Sequence, residues 1–568
     1  MKNICILGCI AFGYSVLLGG CVKDVGESDA TPAPAESKTR SAAGAPTKYP
    51  RLPEFADLGL SPDASGETVM DFSRVGYKWG DEPIPELPVV KTISSPGAGR
   101  DATKLINDAI VEVAGKPLAQ RGAILLKAGQ YEVSGVIRLY ASGIVLRGEG
   151  RDEKTGTRIV ATRTDNGPAM IDDADNPSIL ILLQGTGGRS GKVPAEPNIL
   201  GPQVPAGRFW LRVSNASSFS PGDNVVVERH ITPEWISALR MDRISALPGY
   251  DPASYQWTPS LIAHKQMERV VTKVSGDTLW FENPVSLRIE RAYGGGSVYK
   301  YSYTKRISGS GIENMFLNTS SSKEFNENHC WSAITINRAR HCWVRGVDSK
   351  RFGFTGVDIR QYAANITVED CKVRRMHAVM DGNRRYPFLI RGQLSLVKDC
   401  YAETGRHSFA TSGPVTNGPN VFLDCEARMC YADAGPHARL ATATLYDNVT
   451  TYKVTAAEAI PGVNIDGDYV GAFLIIDRDR MGPGHGWAEI NGVMWNCETT
   501  GKICVQKPWV SGNNYMVGCK GVAWAGYMPD REPGRRVSFG TFVSPRSVYD
   551  AQLALRRQTQ PGGVMDVR

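Results

Sequence analysis

From Gly346 onward the chain alternates short β-branched or apolar runs with polar turns, and the runs recur. VEDCKV around Cys371, VKDCYA around Cys400, FLDCEA around Cys425, LYDNVT around Asn448, MWNCET around Cys497 and MVGCKG around Cys519 share one pattern. Their successive intervals are 29, 25, 23, 49 and 22 residues, and Gly346 of CWVRGVDS stands a further 25 before Cys371. The 49 corresponds to about two repeats and hides an insertion, TTYKVTAAEAIPGVNIDGDYVGAFLIIDRDRM, with room for an overhanging hairpin. Each unit carries a strand, a turn and a second strand, without Leu-rich helical periodicity. Repeats of this kind predict a solenoid, here an all-β, right-handed parallel β-helix.

The ladder assigns several residues at once. Asp370, Asp399, Asp424 and Asp447 precede the ladder position in successive coils and read as turn residues. Cys371, Cys400, Cys425, Cys497 and Cys519 are expected to stack inside the coil as small apolar groups. No CxxC pair occurs, and no metal site is predicted.

Upstream, GRDATKLINDAIVEVA places Ala102, Leu105, Ile106, Ala109, Ile110 and Val113 on one face of a helix with Asp101 as its N-cap. GAILLKAGQYEVSGVIRLYASGIVLRGEG and TRIVAT then read as short strands broken by glycine. Between residues 175 and 305 the coil rhythm is lost, which predicts a small β-rich insertion containing His230, Trp235, Trp257 and His264 as packing or surface groups. The expected organisation is an N-terminal cap and first coils over 51–174, the insertion over 175–305, the main β-helix over 306–550 and a tail over 551–568.

The first 21 residues differ in kind. Met1-Lys2, the apolar run ICILGCIAFGYSVLL and Leu18-Gly19-Gly20-Cys21 form a secretory signal that resembles a bacterial lipoprotein lipobox. The run is too short for a membrane span. Cys21 is therefore the expected lipidation site, followed by a Pro/Ala/Ser-rich tether over residues 22–50. An exported monomer at the outer membrane or cell surface, held by lipid through Cys21, is expected.

Capping helix, strands and glycines together resemble the pectate-lyase-like β-helix superfamily. The matching residues are Gly122, Ala128-Gly129, Tyr131, Gly148 and Gly150, and the resemblance spans roughly residues 95 to 550. It implies an architecture and not a reaction.

The formal charge is +7, from 65 Lys and Arg against 58 Asp and Glu, with no basic block of the kind that binds nucleic acid. A diffuse positive surface suits an anionic polysaccharide. Counting back from the ladder brings Pro414, Pro436-His437 and His485 to corresponding corners, Arg391 and Arg439 to a second register, and His377 and Arg406 to a third. Stacked coils repeat about every 4.8 Å, so such groups line up along the helix. The clusters GRHSFATSGP, DAGPHARLAT and GPGHGWAE have the composition of a carbohydrate groove. His407, Asp433, His437 and His485 are the catalytic candidates. Arg391, Arg406, Arg439, Trp487, His377 and Lys507 are the substrate-binding candidates.

Two enzymatic reactions compete. In β-elimination on a uronate chain, arginine neutralises the sugar carboxylate and a neutral histidine removes the adjacent C–H proton. His437 or His407 would be the base, Arg439 and Arg406 the clamps, and His485 a second proton-transfer group. The resemblance raises calcium as the neutraliser, but no acidic cluster is rich enough to predict a site, so no cofactor is required. Endo-hydrolysis of a sulfated or acidic polymer, fucan- or carrageenan-like, would need Asp433 paired with Asp381, Glu403 or Glu489. A non-catalytic glycan-binding β-helix is the third alternative, and convergence of His407, Asp433, His437 and His485 on one spot separates it from the enzymes.

Overall fold

The computed structural model describes residues 51–164, 178–413, 415 and 418–559. The signal, Cys21, the tether and Pro414 lie outside the described residues. What is described is a right-handed parallel β-helix built from three parallel ladders.

The first ladder runs through Ala123–Leu126, Val145–Gly148, the start of Gly311–Thr319, the start of Trp343–Lys350, Thr367–Glu369, Leu396–Lys398, Asn420–Leu423, Thr444–Asp447, Val493–Trp495, Tyr515–Val517 and Arg535–Val537. The second runs through Lys372–Arg374, Tyr401–Glu403, Glu426–Cys430, Thr450–Lys453, Glu498–Val505 and Lys520–Ala523. The third contains Ile179–Gln184, Ser332–Asn337, Thr355–Ile359, Tyr386–Ile390 and Phe409–Thr411.

A single residue turns the chain from the first ladder to the second. Asn314, Gly346, Asp370, Asp399, Asp424, Asn448, Asn496 and Gly518 hold that place, all with positive φ between 50° and 67°. Asn, Asp and Gly tolerate the left-handed region because a short polar side chain, or none, avoids the Cβ clash. The cysteines after these turns are buried and unoxidised. The thiols of Cys371, Cys400, Cys425 and Cys497 face backbone carbonyls of the preceding coil, as Cys425 Sγ does at 3.5 Å from Val397 O.

Asp447 corrects the predicted ladder by one position. Asn448 takes the turn, while Asp447 pairs in register with Leu423 and Trp495. The 49-residue interval is also one coil and not two, because Thr444–Asp447 pairs directly with Val493–Trp495. The excess residues leave as a loop over 454–472 rather than a hairpin.

The helix Thr103–Ala114 caps the N-terminal end with Ile106, Ala109, Ile110 and Val113 buried. Leu105 is exposed, and Ala102 rather than Asp101 stands at the N-cap, although the Asp101 carboxylate still accepts the Thr103 N–H at 3.0 Å. The insertion is narrower than the lost rhythm suggested. Ile179–Gln184 already belongs to the third ladder, and the six-stranded antiparallel sheet runs from Arg189 to Tyr303. The predicted tail also corrects: Val548–Thr559 is a helix with Gln552 and Arg556 buried. With residues 52–75 it covers the outer side of the first ladder, burying Leu396, Leu445, Trp495 and Val517. Among the described residues no helix is long and apolar enough to cross a membrane.

Candidate active site

The coils leave the second ladder and enter the third through loops, and residues of three successive coils meet at one place. Arg406 and His407 precede the strand Phe409–Thr411; Asp433 comes from the next coil; Arg478 follows Phe473–Ile475 one coil further. Together with Phe325, Met380, Tyr431, Val463, Tyr469 and Tyr527 they line a cavity of about 550 Å³.

His407 is fixed from one side. Its Nδ1 lies 3.0 Å from the Asp433 backbone oxygen and 3.4 Å from the Asp433 carboxylate. That carboxylate accepts two bonds from Arg478, at 2.6 and 3.3 Å. With Nδ1 as the donor, Nε2 is the unprotonated nitrogen, and it is buried with no hydrogen-bond partner. Burial lowers the His407 pKa and outweighs the opposing pull of Asp433, so the ring is neutral. Burial alone would raise Asp433, but the charge of Arg478 and the hydrogen bonds that Arg478 and His407 donate hold it well below the usual carboxylate range.

His437 packs on His407 with ring centres 4.1 Å apart. Its Nε2 lies 3.1 Å from His485 Nε2. Burial holds both rings well below the ordinary histidine value, each reinforced by neighbouring cationic or imidazole groups. Tyr386 closes this row, 5.0 Å from His407 and 5.4 Å from His437. The four catalytic candidates therefore converge.

The binding candidates divide. Arg406 lines the cavity, donates to the Asp381 carbonyl at 2.6 Å and has no carboxylate partner among the described residues. Arg439 does not face the cavity lining. It donates to Gly484 O at 3.0 Å and Pro483 O at 2.8 Å, fixing the turn that carries His485. Arg391 is bound to Asp358, which Arg360 shares. His377 is buried between Ser321 and Glu324, and burial lowers it to about 4. Trp487 is fully buried among insertion residues, so it cannot stack on a sugar. Lys507 pairs with Glu532 at the surface. Residue type and register placed these groups near one corner; burial and partners reassigned them.

Sequence reasoning missed Arg478, Tyr386 and Tyr527. Arg478 had a signal in the D-R-D run that follows the apolar strand FLII, where alternating charges leave a buried ladder. The insertion also contributes, through Trp257, whose Nε1 donates to Gly484 O at 3.1 Å. A Cβ on Gly484 (φ +71°) would meet Tyr255 O at 2.5 Å, and one on Gly486 (φ +58°) would meet Met241 Sδ at 2.4 Å. The GPGHG turn thus needs glycine because the insertion presses on it. His230 and His264 stack on each other, 5.0 Å apart.

Calcium takes six to eight oxygen ligands. The cavity lining offers one carboxylate, Asp433, already shared by Arg478 and His407, and does not fit that ion. Among the described residues no group of three or more His, Cys, Asp or Glu is arranged to hold a metal.

No protein-family model matches the chain, and no curated protein matches its sequence. Among solved structures it is similar to the tailspike protein gp49 from Pseudomonas phage LKA1, at 14% identity and a TM-score of 0.39, over 74% of this chain and 63% of that one. It is similar to pectate lyase Pel9A at 8% identity and a TM-score of 0.32, over 77% and 70%. The Streptococcus pneumoniae surface protein and adhesin PfbA aligns at 8% identity and a TM-score of 0.36, over 76% and 86%. The chain thus spans less than two thirds of the tailspike's length, and the likeness to all three is one of fold.

Proposed function

We propose that the protein is an exported polysaccharide lyase that cleaves a uronate-containing chain by β-elimination, anchored through Cys21. The observation that carries this is the state of His407. Its Nδ1 is fixed by Asp433 and its Nε2 is neutral and unpartnered, in the wall of a cavity that also presents the unneutralised Arg406. Arg406 pairs with the uronate carboxylate and stabilises the charge that develops when His407 Nε2 takes the C5 proton. The glycosidic oxygen then leaves and needs a proton. Tyr527 is suited to give it: its hydroxyl is buried without a partner, and burial, aided by Asp433, keeps it protonated.

Hydrolysis by two carboxylates has weaker support, since Asp433 is the sole carboxylate among the described residues lining the cavity and is held by Arg478. Asp381 contributes its carbonyl to Arg406, Glu403 meets Tyr401, and Glu489 is buried against Thr444. Kinetics of variants on a cleaved uronate polymer test the proposal. His407→Ala is expected to lower kcat by about 10²–10⁴-fold, the usual worth of a general base. Arg406→Ala is expected to raise KM as well as lower kcat, and Glu403→Gln to change neither. Full activity in His407→Ala would overturn it.

A further inference from the structure

The insertion carries a second feature unrelated to the cavity. In its antiparallel sheet Trp210 stands directly opposite Trp280, and Trp280 directly opposite Lys273 on the next strand. The alternating neighbours Leu211, Leu279 and Phe281 point into the insertion's core, so the two indoles share the outer face, where both are half-buried. The Arg208 guanidinium lies 4.5 Å from the Trp210 ring centre and the Lys273 ammonium 5.1 Å from that of Trp280. Neither cation has a carboxylate partner among the described residues. The strand Trp210–Arg212 is the edge of the sheet. None of these residues lines the cavity.

We propose that this face is a second saccharide-binding surface, taking an acidic stretch of the polymer whose cleavage is proposed above. Indoles present large apolar faces at low conformational cost, and the C–H face of a pyranose is apolar enough to cover them. Directly opposed residues on antiparallel strands have Cβ atoms about 5 Å apart, so the pair forms one continuous platform. Cations beside the rings restrain them before a ligand arrives and supply charge for a uronate carboxylate. An isolated surface tryptophan would need no explanation. Two in register, each with an unneutralised cation, match an acidic sugar chain in both shape and charge.

The surface depends on the polysaccharide assignment but not on the reaction, and one experiment separates the two. Full-length wild type, His407→Ala, a Trp210→Ala/Trp280→Ala double variant and Lys273→Glu are run through native gels containing polygalacturonate, alginate or neutral dextran. Wild type and His407→Ala are expected to be retarded equally by at least one acidic polymer and not by dextran. The double variant is expected to bind about tenfold more weakly, with an unchanged thermal midpoint because the indoles lie outside the core. Lys273→Glu, which leaves both tryptophans in place, is expected to weaken retention as well. Undiminished retention of the double variant, retention by dextran alone, or no retention of wild type overturns the surface. Loss of retention in the double variant with no cleavage by wild type supports the surface and removes the lyase.

Discussion

At the scale of single residues, burial fixes the chemistry of the site by deciding which groups are charged. His407, His437 and His485 are all lowered, burial first, from the ordinary value of 6.5. Their unfolded forms bind protons more readily, so they withdraw stability as pH falls below 6.5. Glu489 works in the opposite direction. Burial raises it from 4.5 to about 8 against the Thr444 N–H that its carboxylate accepts at 2.7 Å. Its favourable contribution is whole below 4.5 and lost as pH rises through 8. Glu489→Gln is therefore expected to flatten the fall in thermal midpoint between about pH 4.5 and pH 8, recovering on the order of 3–5 kcal/mol at the alkaline end. An unchanged alkaline limb in that variant would show that Glu489 does not cause it. His407, Asp433, His437 and His485 were legible in the sequence because they stand outside the ladder. Arg439, His377 and Trp487 were misread because composition marks a polar or aromatic loop residue without saying which way it faces. A tryptophan beside glycines suits a sugar platform and a buried buttress equally well.

At the scale of elements, the turn between the first and second ladders is set by one left-handed residue per coil. Asp399→Val, at φ +53°, is expected to cost about 1–2 kcal/mol in a denaturant titration, whereas Asp399→Gly is expected to be tolerated. The repeat was legible since its strands and turns are local. The one-residue slip at Asp447 was not, because Asp and Asn suit the turn equally; the difference is tertiary, Asp447 being required to accept from Ser547 Oγ and Tyr549 N, both at 2.8 Å. The insertion shows a similar limit. Its strands were legible, but its pressure on the GPGHG turn depends on contacts over two hundred residues apart. Trp257 is a positioning residue by this geometry. Trp257→Phe removes the bond to Gly484 O while keeping most of the packing. It is expected to shift the pH profile of cleavage and return the His485 imidazole resonance toward ordinary titration, with fold and substrate affinity retained. A change in stability alone would reduce Trp257 to packing.

At the scale of the whole molecule, both ends of the described chain close one side of the solenoid. Gln552 donates to Met70 O and accepts from Phe72 N, and Arg556 reaches Ser73, Trp79 and Asp81. A chain ending at Ser547 is expected to expose the apolar side of the first ladder and lose several degrees of thermal midpoint in calorimetry. The opposite side, where loops leave the second ladder, stays free to build the cavity. That division leaves one reaction to be recognised by its product. The decisive measurement is incubation of the full chain with a panel of uronate and sulfated polysaccharides, following reducing ends together with the ultraviolet absorbance of an unsaturated uronate. β-elimination at His407 predicts that both rise in step and that His407→Ala abolishes both. Reducing ends that rise without new absorbance would contradict it and make the protein a hydrolase.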